Sequence, residues 1–172
     1  MVEIKDIIAL AGYVKQKYRD DKKREISPLK LQKSLYFLFA YWGGFITKNK
    51  KIKTIEEKKP NSIKIELDYS KHSEYLYETE IQAWVYGPVL PKVYRKEDID
   101  SHYNANNFVT DDADVKEFID DLLGQIFDVS DFRLVDISHA DNIWKKYFNP
   151  NEECHNNIMP SDEIINEYAS KI

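Results

Sequence analysis

The sequence predicts a mainly α (α+β) protein, a compact helical domain around one buried central helix with a small two-stranded antiparallel β-ribbon. Three observations predict it. From Leu35 to Trp42 the stretch SPLKLQKSLYFLFAYW (Ser27–Trp42) is apolar or aromatic on nearly every side, and such a helix is normally enclosed by other elements. Several flanking stretches carry apolar residues at helical spacing on one face only. Strict alternation is confined to one short run, Ser62 to Tyr69.

Taken in order, the first helix is expected over Glu3–Tyr18, with Ile4, Ile7, Ile8, Ala11, Val14 and Tyr18 facing inward. Arg19–Glu25 reads as a charged connector. Ser27 suits the N-cap of the central helix because its hydroxyl accepts from first-turn amides. Pro28 suits the next position, where its missing N–H costs nothing. Gly43-Gly44 is expected to stop the helix, since glycine takes the left-handed conformation of a C-cap. The apolar run is too short for a bilayer, which needs about 20 residues.

The alternating run places Ile63, Ile65, Leu67 and Tyr69 on one face of a strand. Its expected partner is IQAWVY, Ile81–Tyr86, ended by Gly87-Pro88. Val89–Lys96 is expected to hold a short helix with Pro91 near its start, and Glu97–Thr110 a loop. Asp111–Val129 is helical, with Val115, Phe118, Ile119, Leu122, Leu123 and Ile126 as its stripe. Its early acids, Asp111, Asp112 and Asp114, suit the positive end of the helix dipole. Ser130 can cap a helix running to Ser138, and Asp141–Phe148 forms another. Pro160-Ser161 precedes a last helix, Asp162–Lys171, with Ile164, Ile165 and Tyr168 inward.

At 172 residues the chain reads as a single domain, 1–172, with a lysine-rich, partly extended insertion at about 46–80. A domain near that size buries roughly 70% of its unfolded surface. With 12 Tyr, 8 Phe and 42% hydrophobic residues, the core needs no metal or disulfide. One cysteine, Cys154, cannot form an internal bridge, which fits a reducing compartment. Met1–Asp6 carries charges where a signal peptide would need an apolar run. A cytoplasmic protein without membrane contact is expected.

Charge is divided unevenly. Met1–Lys59 has 15 Lys/Arg against 7 Asp/Glu, and Pro60–Ile172 has 10 against 23. The simplest reading is that the halves fold together and neutralise each other. The other is a nucleic-acid face on the first third, giving an alternative function as a nucleic-acid-binding autoregulator.

Catalytic signals are weak. His72, His102, His139 and His155 are scattered, with no HExxH pair and no Cys/His cluster at zinc spacing. Cys154-His155 are adjacent, which rarely places thiol and imidazole productively. No glycine-rich phosphate loop exists, and Lys48–Lys59 lacks interleaved aromatics for base stacking. No enzyme, cofactor or metal is therefore expected. A hydrolase using Cys154 or His139 is the weakest alternative.

Two motifs together point to a family. LKLQKSLYF (Leu29–Phe37) and IQAWVYGPVLPKVYR (Ile81–Arg95) resemble the Panacea domain, the SocA-like antitoxin family of type II toxin–antitoxin loci in bacteria and phages. Lys30, Leu31, Gln32, Lys33, Leu35 and Tyr36 match its first motif. Ala83, Trp84, Gly87, Pro88, Val89, Pro91, Val93 and Tyr94 match its second, and His139 with Trp144 form a weaker third. Ser34 departs from the usual Leu, Ile143 from the usual Pro, and Phe45–Glu80 is longer than the pattern. The likeness spans roughly Ile4 to Ile172.

The resemblance implies a non-enzymatic protein that neutralises a cognate toxin by binding it. In one branch it implies an adaptor delivering the toxin to a ClpXP-type protease. A phage- or prophage-encoded host-interaction protein is a further alternative. Leu31, Leu35 and Tyr36 are read as core and Gly87-Pro88 as a turn. Trp84 fits two roles, a buried aromatic whose N–H finds a carbonyl or a binding anchor. Partner-contact candidates are Gln32 and Lys33, polar beside a core stripe, the aromatics Trp84 and Tyr86, and Asp112, Asp114 and Asp121 on an acidic helix face that would steer a basic toxin.

Overall fold

The computed structural model describes residues 1–56, 69–96, 99, 110–151 and 157–172. In chain order these form α1 (Ile7–Lys22), α2 (Pro28–Glu56), a 3-10 turn (Tyr69–Lys71), β1 (Gln82–Trp84) and β2 (Gly87–Val89). Then come α3 (Pro91–Tyr94), α4 (Ala113–Phe127), α5 (Asp131–His139), α6 (Asn142–Tyr147) and α7 (Ser161–Lys171). The architecture is mainly α with a two-stranded antiparallel sheet among the described residues. No helix among them is long and apolar enough to cross a membrane.

The central helix is α2. Ser27 Oγ accepts from Lys30 N (3.0 Å) and donates to Asp131 Oδ2 (2.5 Å), so one hydroxyl caps α2 and ties it to α5. Leu35 to Ala40 are all buried, as is Trp42. Helices α1, α4, α5 and α7 and strand β2 pack around them. Each large apolar side chain enclosed this way contributes about 1.5–3 kcal/mol relative to exposure.

Gly43-Gly44 do not stop this helix, which continues to Glu56. A Cβ on Gly44 would lie 2.8 Å from Tyr168 Cβ and 2.9 Å from Ala169 N. One on Gly43 would lie 2.9 Å from the Glu74 carbonyl. The glycines let α7 approach the α2 backbone. Their helix-propensity cost, about 1 kcal/mol each, is offset by that packing. Residues 46–56 of the expected partly extended insertion are thus helix.

The β-ribbon also differs from expectation. Residues 62–68 lie outside the described residues, and Tyr69 opens the 3-10 turn. The partner of β1 is β2, paired as Gln82↔Val89, Ala83↔Pro88 and Trp84↔Gly87. Gly87-Pro88 therefore begins a return strand. Gly87 has φ +102°, while Val85 and Tyr86 keep negative φ. That matches a hairpin loop in which a type I turn is followed by a glycine at positive φ. On its other side β1 meets residues 157–159, with Ala83 N donating to Asn157 O (2.8 Å) and Met159 N to Ile81 O (2.8 Å).

Helix α1 starts later than expected. Asp6 caps it, accepting from Ile8 N and Ala9 N. The preceding residues are extended instead: Glu3 N and Ile4 N donate to Tyr75 O (3.2 Å) and Leu76 O (2.8 Å). Half of the expected connector is helical. The turn falls at Lys23, φ 58°, braced by Arg19 on both carboxylate oxygens of Glu25 (2.6 and 2.9 Å). The four helices after Thr110 lie close to where the apolar periodicity puts them. Phe118 and Leu122 are half-buried beside the fully buried Val115, Ile119, Leu123 and Ile126.

Two networks join distant parts of the chain. Lys17–Asp120, Lys22–Asp128, Lys30–Asp131 and Lys50–Glu74 link the basic first third to the acidic remainder. Within the core, Asp141 is 1% exposed and accepts from Tyr36 Oη (2.6 Å), Tyr168 Oη (2.5 Å) and Lys171 Nζ (2.5 Å). Burial, then Tyr168 and Asp141, push the Tyr36 phenol up. Burial and Asp141 do the same to Tyr168. Both phenols stay protonated and donate. Burial alone would lower Lys171, but Asp141 and Glu167 raise it above the ordinary lysine range.

Candidate functional site

The two sequence motifs meet at the β1–β2 hairpin. Gln32 is enclosed beneath it; its Oε1 accepts from Leu90 N (2.7 Å) and its Nε2 donates to Leu90 O (3.4 Å). Both backbone groups of the residue that opens α3 are thereby satisfied. Lys33, 1% exposed, donates from Nζ to Pro88 O (3.0 Å). Gly87 has to be glycine here on two counts. Its φ is left-handed, and a Cβ would sit 2.7 Å from Lys33 Cε and against Ser138 Oγ.

The turn is held from a third direction by α5 and α6. His139 Nε2–H donates to Val85 O (2.9 Å), a contact that selects this tautomer. Trp144 Nε1 donates to Trp84 O (2.9 Å). The two rings stack on each other (4.0 Å between centroids), and Trp144 stacks again on Phe148 (4.7 Å). Asn157 Nδ2 donates to Ala83 O (3.2 Å) from the opposite edge. Trp84 itself is half-buried. Its N–H donates to Gln82 Oε1 (2.8 Å), and its ring meets Tyr94 edge-on at 5.0 Å.

At the turn and on α3 this scaffold exposes large apolar side chains, with Lys92 and Arg95 exposed beside them on α3 and at its end. Val85 is 61% exposed, Tyr86 59% and Tyr94 61%. Trp84 and Gly87, which flank Val85 and Tyr86, are spent on hydrogen bonds or buried, so the turn is a fixed support for these two exposed side chains.

The expectation that Gln32 and Lys33 offer a polar contact surface is corrected. Both are enclosed because each satisfies a backbone group that no ladder partner reaches. The acidic helix is also less free than its composition suggests. Asp112 caps α4, its Oδ1 accepting from Asp114 N (2.9 Å) and Val115 N (3.3 Å). Asp112 and Asp114 both face His72. Asp120 meets Lys116, Lys17 and Tyr13. Asp111, just before the cap, and Glu117 and Asp121 on the helix remain exposed. Val85 and Asn157 carry no signal in the sequence, Tyr94 shows there only as a motif position, and His139 shows through its spacing to Trp144 and as a histidine a hydrolase could use. Cys154 and His155 lie outside the described residues.

Lys33 has a measurable consequence. Burial lowers its ammonium from the ordinary 10.5 to about 7, so between about pH 7 and 10.5 the unfolded chain binds more protons than the folded one. Stability then rises with pH across that window, by at most about 1.4 kcal/mol per unit. Below pH 7 the full cost of the buried charge is present. Lys33→Met is expected to flatten this rise, seen by comparing urea unfolding of the two proteins at pH 6, 7, 8 and 9. Parallel profiles would show that Lys33 does not titrate there.

Residues 66–145 match the family described as antitoxin SocA-like, Panacea domain. Over that stretch the chain is similar to the Panacea domain. The matched residues cover the hairpin, α3, α4, α5 and the start of α6, so the bracing His139 and Trp144 fall within them. LKLQKSLYF precedes the match, yet Gln32 and Lys33 hold the hairpin of the matched stretch from below. The match is narrower than the expected span of Ile4 to Ile172. No curated protein and no solved structure matches the chain.

Proposed function

We propose that this protein is an antitoxin that neutralises a cognate toxin by binding it directly, with the β1–β2 turn as the anchor of the contact. The Panacea match supports an antitoxin-like, non-enzymatic role. The observation that carries the contact is the exposure of Val85 and Tyr86 on a backbone held by Lys33, His139 and Trp144. An aromatic anchor on a rigid turn loses little conformational entropy on binding, so most of its burial energy appears as affinity. Asp111, Glu117 and Asp121 lie outside this anchor and contribute association rate toward a basic toxin.

The test is co-expression with the adjacent reading frame, followed by co-purification and growth rescue. Tyr86→Ser with Val85→Ser is expected to weaken binding at least tenfold while leaving the melting temperature within about 3 °C, since both side chains are exposed. Undiminished binding by this variant would remove the hairpin from the contact, and no rescue by the wild-type chain would remove the antitoxin reading. Rescue that vanishes in a host lacking its ClpXP-type protease would assign the adaptor role instead.

A further inference from the structure

A second cluster lies away from the hairpin, where the N-terminal segment, the 3-10 turn and the start of α4 meet. His72 is 2% exposed and its ring stands edge-to-face on Trp42 (5.4 Å). Its Nδ1 is 3.3 Å from Glu3 Oε1 and 4.0 Å from Asp112 Oδ2; its Nε2 is 3.5 Å from Asp114 Oδ2 and has no hydrogen-bond partner among the described residues. Carboxylates therefore face both nitrogens. A neutral imidazole donates from one nitrogen only, leaving the other lone pair aimed at a carboxylate. A cation on that lone pair resolves the conflict.

We propose that Glu3, His72 and Asp112 bind one divalent transition-metal cation, with Asp114 orienting the imidazole from behind. One ligand atom from each of the three lies within 4.8 Å of the others; bonds of about 2.0–2.2 Å place tetrahedral ligand atoms about 3.3–3.6 Å apart, so the carboxylates would close by up to about 1.5 Å onto the cation. With the cation on Nδ1, the Nε2–H points at Asp114, the carboxylate–histidine–metal arrangement common at such sites. Asp112 can serve both purposes, because its Oδ1 caps α4 while Oδ2 faces His72. Glu3 Oε1 also accepts from Ser73 N (2.6 Å), which fixes that carboxylate in place.

Other groups bear on the charge balance. Lys50 donates to the His72 carbonyl (2.7 Å) and pairs with Glu74, and the N-terminus of α4 is itself partly positive. Three carboxylates outweigh both. One nitrogen and two oxygens favour Zn²⁺ or Co²⁺ over Mg²⁺ or Ca²⁺, which take oxygen ligands.

The test uses the full chain with Cys154→Ser and His155→Ala, so that this adjacent pair cannot bind metal, after EDTA treatment and dialysis. Titration with Zn²⁺ at pH 7.5 is expected to show one ion per chain and, at a hundredfold excess over Kd, a rise in melting temperature of about 5–10 °C. Co²⁺ should give visible absorption bands that Zn²⁺ displaces. Glu3→Gln with Asp112→Asn should abolish binding, the asparagine keeping the helix cap. Asp114→Asn should weaken it about 10–100-fold at unchanged stoichiometry. Absence of binding by the folded chain would overturn the proposal. So would Zn²⁺ binding that survives Glu3→Gln with Asp112→Asn.

Discussion

Asp141→Ala is expected to cost about 3–5 kcal/mol of stability, because it leaves three donors without the buried carboxylate that holds them. Tyr36 and Tyr168 would keep buried hydroxyls with no acceptor, and Lys171 would lose one of its two carboxylate partners. The pairing joins α2, the start of α6 and the end of α7, so its loss loosens elements far apart in the chain. Urea unfolding measures it directly. Tyr36→Phe and Tyr168→Phe provide the internal comparison, at about 1.5–3 kcal/mol each for a hydrogen bond to a charged group. A loss below 1 kcal/mol for Asp141→Ala would mean that α7 docks by apolar packing alone.

Leu35→Asp is expected to prevent folding. Leu35 is 0% exposed in the first third of α2, with its own carbonyl accepting from Tyr77 Oη (2.7 Å). An ionised carboxylate placed there has no partner, and the several kcal/mol this costs is comparable to the whole stability of a domain. Leu35→Met, nearly equal in volume, should cost under about 1.5 kcal/mol. Circular dichroism and thermal melting of the purified variants distinguish the two, and an aspartate variant melting near wild type would show that α2 is not the centre of the core.

The structure changes what the first motif means. Lys30, Gln32, Lys33 and Tyr36 reach, in turn, the Phe127 carbonyl and Asp131, the Leu90 backbone, the Pro88 carbonyl, and Asp141. Each is a buried polar group satisfied by a segment more than fifty residues away. Partner recognition through this motif would therefore act by holding the hairpin in shape, with Val85 and Tyr86 making the contact.

The sequence by itself determined the helices and the core. Apolar periodicity locates α1, α4, α5, α6 and α7 to within a few residues, and the unbroken apolar run of Leu35–Trp42 marks the enclosed helix, because burial is a property of each side chain. The cap at Ser27, the short helix after Pro91 and the two family motifs were legible for the same local reason. Tertiary structure alone decided the rest. Gly43-Gly44 read as a stop until Tyr168 and Ile165 lie against them, since one residue type serves both a left-handed cap and a close approach. Gly87-Pro88 read as the end of a strand until Lys33, Ser138 and His139 close around the turn. Asp112 and Asp114 read as a free acidic face until His72 is placed between them and Glu3. In each case the meaning of a residue depends on a partner distant in sequence, and single-chain spacing carries no record of that partner.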